Sequence, residues 1–396
     1  MKTSHRIPAR FAAALIPGAM LLGAAPAFAI NGLQLGGYGI KNASMGGASI
    51  ALPLDTVAAA NNPAGMAYVP AGFDLNLQTF YGTSSSNYLV PGNHLENSTT
   101  TLIPEGGFNW AVNPTVNVGL SIASQGAGAD YGQPALPIPG FANADASLSI
   151  VEFIPTVAWK PMPELAFGAG LNLAYERFNA QGVLVPAPVA GGIAQLPGYG
   201  TSTATGVGLR LGMLWKATPT LAFGVNLKTR TGMSKLDGYA NNLLASSNGR
   251  IDVPAQYGVG AAWNATERLT LAADYLRIEY RDIAVMQDPS GFYWRDQPVF
   301  RLGASYALDA RWTLRAGASF NRGQILDSNL AQNLLAPALA DRAFTVGVSF
   351  ALDPASDISA GYELNPSVGA SGTGLSTGTT LNSKVQMFLL GYQHRF

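Results

Sequence analysis

Between Leu165 and Glu176 an apolar side chain occupies every second position (Leu165, Phe167, Ala169, Leu171, Leu173, Tyr175), with Ala166, Gly168, Gly170, Asn172 and Glu176 between them. A period of two sends successive side chains to opposite faces of a strand. The same alternation recurs from Val207 to Trp215, Leu221 to Leu227, Phe300 to Tyr306, Trp312 to Phe320 and Phe344 to Phe350. It closes the chain in Phe388, Leu390, Tyr392, His394 and Phe396. The apolar set is large and aromatic; the other is Gly, Ala, Ser, Asn and charge. That is the inverse of a soluble barrel, whose greasy side is the interior, and it predicts an all-β membrane protein. In lipid only a closed barrel satisfies every backbone group of a strand. The terminal segment taken alone also fits a half-buried strand of a soluble protein.

The amino terminus predicts export. Lys2, Arg6 and Arg10 precede an apolar core from Phe11 to Leu22, too short to span a bilayer, and Ala27-Phe28-Ala29 is a small-x-small cleavage signal. Residues 1–29 are thus expected to be a removed signal peptide. The chain has no cysteine, so it can have neither a thiolate metal site nor a cysteine nucleophile. Charged residues are 12% against an ordinary quarter, yet no apolar run after the leader is long enough for a membrane helix. Without the three leader cations, 20 Lys and Arg face 23 Asp and Glu, a balance that argues against a nucleic-acid partner.

Short turns are expected near Asn113-Pro114, Pro161–Glu164, Lys216–Thr220, Asn264–Arg268, Leu308–Arg311 and Asp353–Asp357. Longer stretches lie around 86–99, 125–146, 179–205, 235–250, 284–297, 324–340 and 367–381. Six turns and seven loops imply a 14-stranded antiparallel transmembrane β-barrel over 71–396, with short turns periplasmic and long loops extracellular. Trp110, Trp159, Trp215, Trp263 and Trp312 all flank short turns and read as a periplasmic aromatic girdle. Residues 30–70 lack strand alternation and precede the first strand, read as Gly72 to Ser84. Their low charge and moderate apolar content favour an N-terminal hatch, a plug in the lumen, over a disordered tail.

Within that segment Gly46-Gly47-Ala48, Asp55 and Asn62-Pro63-Ala64 form a pattern that resembles the hatch of the FadL-type outer-membrane transporters of long-chain fatty acids and other hydrophobic compounds, some of them aromatic hydrocarbons. The resemblance spans essentially the mature chain and is sharpest in the hatch. It implies a monomeric, plugged barrel in the Gram-negative outer membrane that moves hydrophobic small molecules passively. It also implies a gating role for Gly46, Gly47, Asp55, Asn62, Pro63 and Ala64, and a lateral opening where the third strand kinks inward, here near Gly126 and Gly128. A loop entrance explains those two glycines as well. Family members often carry paired acids in mid-hatch, where this chain has Asp55 alone.

Strand parity points Arg210, Lys228, Arg230, Arg301 and Arg315 into the lumen, along with Glu105, Glu152, Glu176 and Glu363. Arg301, Arg315, Lys228 and Arg210 are candidates for gripping a fatty-acid carboxylate; alternatively these charges pair with one another and fill the barrel. Residues 131–141 and 182–199 are apolar for exposed loops and are candidates for solute capture. Outer-membrane lipids, lipopolysaccharide and a barrel-insertion machinery reading the strand that ends at Phe396 are the further expected partners. No enzyme activity is expected: the mature chain has only His94, assigned to the first long loop, and His394, neither with an evident Ser-Asp partner, and it shows no metal-ligand cluster or phosphate loop, so no cofactor or metal is implied. An open diffusion porin and an adhesin remain alternatives, as do alkanes and aromatic hydrocarbons as cargo.

Overall fold

A computed structural model describes residues 31–186 and 193–396. The expected signal peptide, residues 1–29, lies outside the described residues, as does the middle of the loop after Gln181. The alternating segments form fourteen strands: β1 Gly72–Asn87, β2 His94–Asn113, β3 Val116–Asp130, β4 Asp145–Met162, β5 Leu165–Gln181, β6 Ser202–Lys216 and β7 Leu221–Lys228. They continue as β8 Ala255–Asn264, β9 Leu269–Glu279, β10 Gln297–Ala307, β11 Trp312–Asn321, β12 Arg342–Ala351, β13 Ser356–Ser371 and β14 Thr380–Arg395. Each pairs antiparallel with its sequence neighbours, and β1 pairs with β14 from Gly72↔Arg395 to Asn87↔Thr380, which closes the barrel. No helix among the described residues is long and apolar enough to cross a membrane.

The short connections fall at one end, between Asn113 and Val116 and at 163–164, 217–220, 265–268, 308–311 and 352–355. The long connections fall at the other. The first is shorter than expected: β2 begins at His94, and the polar run after it keeps alternating, with Leu95, Asn97, Thr99 and Thr101 buried. His94 is therefore in a strand, not in a loop. Strands can project beyond the hydrocarbon, where Ser, Thr and Asn on the outer face cost nothing. β3 likewise extends through Gln125, Gly126 and Gly128 to Asp130, paired with β4 throughout, so these residues are strand rather than loop.

Outside, the wall is apolar. Leu171, Leu209, Val225, Leu302, Leu314, Val346 and Leu390 are exposed, and the five girdle tryptophans are all exposed beside the short turns. Phe396 packs on Phe73, Phe108 and Trp110 at ring-centroid distances of 6.0–6.2 Å, fastening the terminal strand across the closure.

Inside, the expectation of a uniformly small and polar face is corrected. At mid-height the inward set is polar and charged: Glu105, Glu152, Arg210, Lys228, Asp274, Arg301 and Glu363 are buried. Toward the long loops it is apolar on β4, β9 and β14, with Leu148, Ile150, Leu276, Ile278, Leu381 and Val385, together with Val299 of β10, buried in one cluster with Leu33, Leu35 and Tyr38 of the hatch, and polar on β1 and β2, where Ser84, Ser86, Asn97 and Thr99 are buried. Alternation is silent where both faces are apolar, as in Met387-Phe388-Leu389-Leu390, where the first and third residues are buried and the second and fourth exposed.

Candidate functional site: the hatch and the wall opening

Residues 31–70 fill the lumen as a compact plug, nearly every side chain buried. Regular structure in it is short: a helical turn at Ile40–Ala43 and two 3₁₀ turns, Ala58–Ala60 and Pro63–Ala67. Its course is set by places where the wall has no Cβ. Ile40 lies against Gly391 of β14, Met45 against Gly317 of β11, Ile50 against Gly224 of β7, Thr56 against Gly107 of β2, Pro63 against Gly212 of β6 and Met66 against Gly119 of β3. A side chain at any of these would overlap the plug, so the wall glycines serve close approach.

The Asn-Pro-Ala triplet is a helix start. Asn62 caps the turn, its Oδ1 accepting from Ala64 N at 3.1 Å, while Pro63 occupies the first helical position, where its missing N–H is not needed. The same side chain donates from Nδ2 to Ile50 O at 2.7 Å and to Met213 O of β6 at 3.1 Å. One residue thereby joins two parts of the hatch to the wall. Gly46 and Gly47 have φ of 66° and 79°, the left-handed region that favours glycine. Gly46 N donates to Thr345 Oγ1 at 2.8 Å, and Gly47 O accepts from Arg301 Nη1 at 3.2 Å. Asp55 Oδ1 accepts from Val57 N at 3.1 Å. Burial and the carboxylate of Asp74 raise the Asp55 carboxyl well above the ordinary range, partly offset by Lys41. Asp74 of β1 accepts from Thr56 N, the next hatch residue, at 2.7 Å.

The luminal charges turn toward one another and toward the hatch. Glu152 of β4 receives Arg210 Nη2 at 2.9 Å on one oxygen and Lys228 Nζ at 2.7 Å on the other. Arg210 also donates to Asn172 Oδ1 at 2.7 Å and to Ala60 O of the hatch. Asp274, which faces Arg301 across the β9–β10 ladder, accepts from Ser49 N at 2.7 Å and Ile50 N at 3.0 Å. Arg315, half-buried, donates to Ser349 Oγ at 2.5 Å. Arg230 does not point inward as parity predicted. The β7 ladder stops at Lys228, and Arg230 is exposed 3.7 Å from Asp252.

Among the described residues, the ladder between β2 and β3 is incomplete. β3 pairs with β4 along its whole length, Val116↔Trp159 to Asp130↔Asp145, but with β2 only from Val116 to Ile122. Beyond Gly106↔Ile122 the upper halves of β2 and β3 part. Pro104, which cannot donate to a ladder, lies just past the last pair, and its carbonyl accepts from Ser124 Oγ at 3.2 Å. From Ala123 to Ala129 every β3 residue is buried, so this stretch has turned into the lumen. Unpaired backbone costs several kcal/mol per group in hydrocarbon, so the freed edge cannot face lipid. Part of it is met from inside, Gly126 N donating to Leu33 O of the hatch at 3.1 Å.

A family model described as "Outer membrane protein transport protein (OMPP1/FadL/TodX)" matches residues 20–387. The chain belongs to the FadL/TodX family of outer-membrane transport proteins. A Pseudomonas aeruginosa FadL homologue superposes with TM-score 0.73 at 19% identity, covering 92% of this chain and 100% of that one. The Pseudomonas putida toluene transporter TodX gives 0.71 at 18% identity over 92% and 99%, and the Ralstonia pickettii toluene transporter TbuX 0.66 at 18% over 91% and 99%. A 53-residue stretch is 45% identical to a Chlorobium limicola protein described as an uncharacterized protein in the phosphoenolpyruvate carboxykinase gene 5' region; it is 13% of this chain and 26% of that protein's length.

This FadL/TodX-family barrel is a transport protein, not an enzyme. His94 contacts Asn87 Oδ1 at 3.0 Å and Glu96 at 3.1 Å on the surface. His394 does have a serine partner, Ser356 Oγ at 2.9 Å from Nδ1, but the group that follows Ser356 is the Tyr392 hydroxyl. Sequence reasoning missed several anchors of the hatch, among them Asp357, whose carboxylate is 2.8 Å from Lys41 Nζ, and Asn109, which donates to Val69 O at 2.7 Å. Asp274 has the inward parity of its strand and could have been found from it. Tyr280, which follows β9, accepts from Leu33 N at 2.8 Å and donates to Asn31 O; no local pattern marks it.

Proposed function

We propose that this chain carries hydrophobic molecules passively across the outer membrane, taking them from the long loops into the apolar upper lumen and releasing them sideways between β2 and β3. The observation that carries this reading is the juxtaposition of that lumen, a hatch across the barrel axis and the unpaired edge from Ala123 to Asp130. An alkyl chain entering water loses about 0.8 kcal/mol per methylene, so a dry route with a side exit suits such cargo better than an aqueous pore. Movement of the hatch about Gly46, Gly47 and the Asn62–Ala64 cap, and of β3 about Gly126 and Gly128, belongs to the same reading. So do export by a cleaved leader, insertion through the strand ending at Phe396, and function as a monomer among lipids and lipopolysaccharide.

Of the two cargo classes, long-chain fatty acids and uncharged hydrocarbons, the charge pairing supports the second. Arg210 and Lys228 share Glu152 and are fully buried, which leaves Arg301 and Arg315 as the candidates for holding a carboxylate. Uptake of labelled toluene and labelled oleate by cells lacking their own hydrophobic transporter tests both levels. Stimulated toluene uptake with oleate unchanged is expected. Oleate uptake that is lost in Arg301→Ala or Arg315→Ala would restore the fatty-acid reading. Stimulation of neither solute would contradict the conduit.

A further inference from the structure

Two polar side chains in the apolar upper lumen have no role in the hatch or in the charge belt. Glu176 of β5 and Gln125 of β3 both pair in register with Ile150 of β4, so all three stand at one height on the luminal face. Glu176 is 0% and Gln125 3% exposed. Neither oxygen of Glu176 and neither amide atom of Gln125 has a hydrogen-bond partner among the described residues. Around Glu176 the inward neighbours Ile150, Ala174, Phe178 and Ala204 are apolar and buried. Glu152, one inward position down β4 from Ile150, is by contrast saturated by Arg210 and Lys228.

A buried polar group left unpaired is destabilising, and four such atoms at one level of an apolar channel are complementary to something polar. Glu176 is itself an acid in apolar surroundings, so the site is unsuited to a carboxylate. An ammonium only donates and would leave the Gln125 N–H groups unmet, whereas a hydroxyl donates and accepts. Strands two apart are about 10 Å from each other, which leaves room for a small group between the tips of two long side chains. Gln125 also lies in the part of β3 that has left β2, beside the wall opening.

We propose that Glu176 and Gln125 form a polar subsite that binds the hydroxyl of an otherwise hydrophobic solute, an alcohol or a phenol, on its way to the opening. The subsite rests on the conduit reading and adds to its uncharged cargo molecules bearing a hydrogen-bond donor, favoured over hydrocarbons of the same skeleton.

Equilibrium dialysis of naphthalene, 1-naphthol and 1-naphthoate against the purified full chain in detergent, with binding to micelles subtracted, tests it. Binding of 1-naphthol roughly fivefold to tenfold tighter than naphthalene is expected, the effect of one or two well-made hydrogen bonds. Glu176→Leu should abolish that preference and leave naphthalene binding intact, and Glu176→Gln should retain part of it; Gln125→Leu provides a second variant. Retained naphthalene binding also reports that a variant is folded. Equal binding of naphthol and naphthalene by the unaltered protein, tightest binding of naphthoate, or a naphthol preference that survives Glu176→Leu would overturn the subsite. Binding of none of the three would instead remove the conduit reading on which it rests.

Discussion

Asn62 makes three hydrogen bonds with one side chain: it caps its own 3₁₀ turn, holds Ile50 O and reaches Met213 O in the wall. Replacing it with Ala removes the side-chain partner of the buried Ile50 carbonyl, of the part-buried Met213 carbonyl and of the Ala64 N–H, a local cost on the order of 2–4 kcal/mol. Hydrogen exchange should quicken at 58–67 by roughly one and a half to three orders of magnitude while the β-strand amides keep their protection; unchanged exchange in the hatch would show that the cap does not hold it. Asp55 adds a pH dependence. Its folded value is raised by burial and by Asp74, so its contribution to docking is complete below the ordinary Asp value and fades as pH rises through the raised one. Hatch amides should therefore be better protected in mild acid than in alkali, and Asp55→Asn should flatten that profile. The residue types at both positions were legible in the sequence, but their partners were not, because Met213 and Asp74 stand on wall strands that only closure brings to the lumen.

Strands were the most legible elements, since a two-residue period with aromatic outer positions has few other readings. Legibility failed where the pattern carried no signal. The polar start of β2 looked like loop because Ser, Thr and Asn are common to both. The end of β3 looked like loop because a strand turned inward is buried on both faces and stops alternating. The glycines of the luminal face were read as small residues, while their reason, the approach of the hatch, needed the folded barrel. Gly212→Val tests that reason at the level of the element. A Cβ there would strike Asn62 and Pro63, yet the β6 backbone can bear a β-branched residue. The barrel should still insert, with the hatch displaced and single-channel ion conductance in planar bilayers several-fold above the unaltered protein. Unaltered conductance would mean that the hatch is not positioned by this contact.

The whole molecule combines an apolar exterior, an upper lumen apolar on β4, β9 and β14, a hatch held by the wall through hydrogen bonds from several strands, and the interrupted ladder between β2 and β3. A continuous ladder would confine a solute to the axis, which the hatch obstructs. In the proposed route, the interruption between β2 and β3 gives a solute in the lumen a way into the membrane without passing water. The most direct test uses the natural absence of cysteine. Asn97→Cys and Asp130→Cys place two thiols across the opening, where Asp130 N now donates to Asn97 Oδ1 at 3.1 Å. Uptake of labelled toluene by cells carrying this variant is measured before and after a short bifunctional thiol cross-linker with a cleavable disulfide, and again after reductant. The account predicts that cross-linking lowers uptake about tenfold or more and that reductant restores it; full uptake through a cross-linked wall would contradict the sideways route.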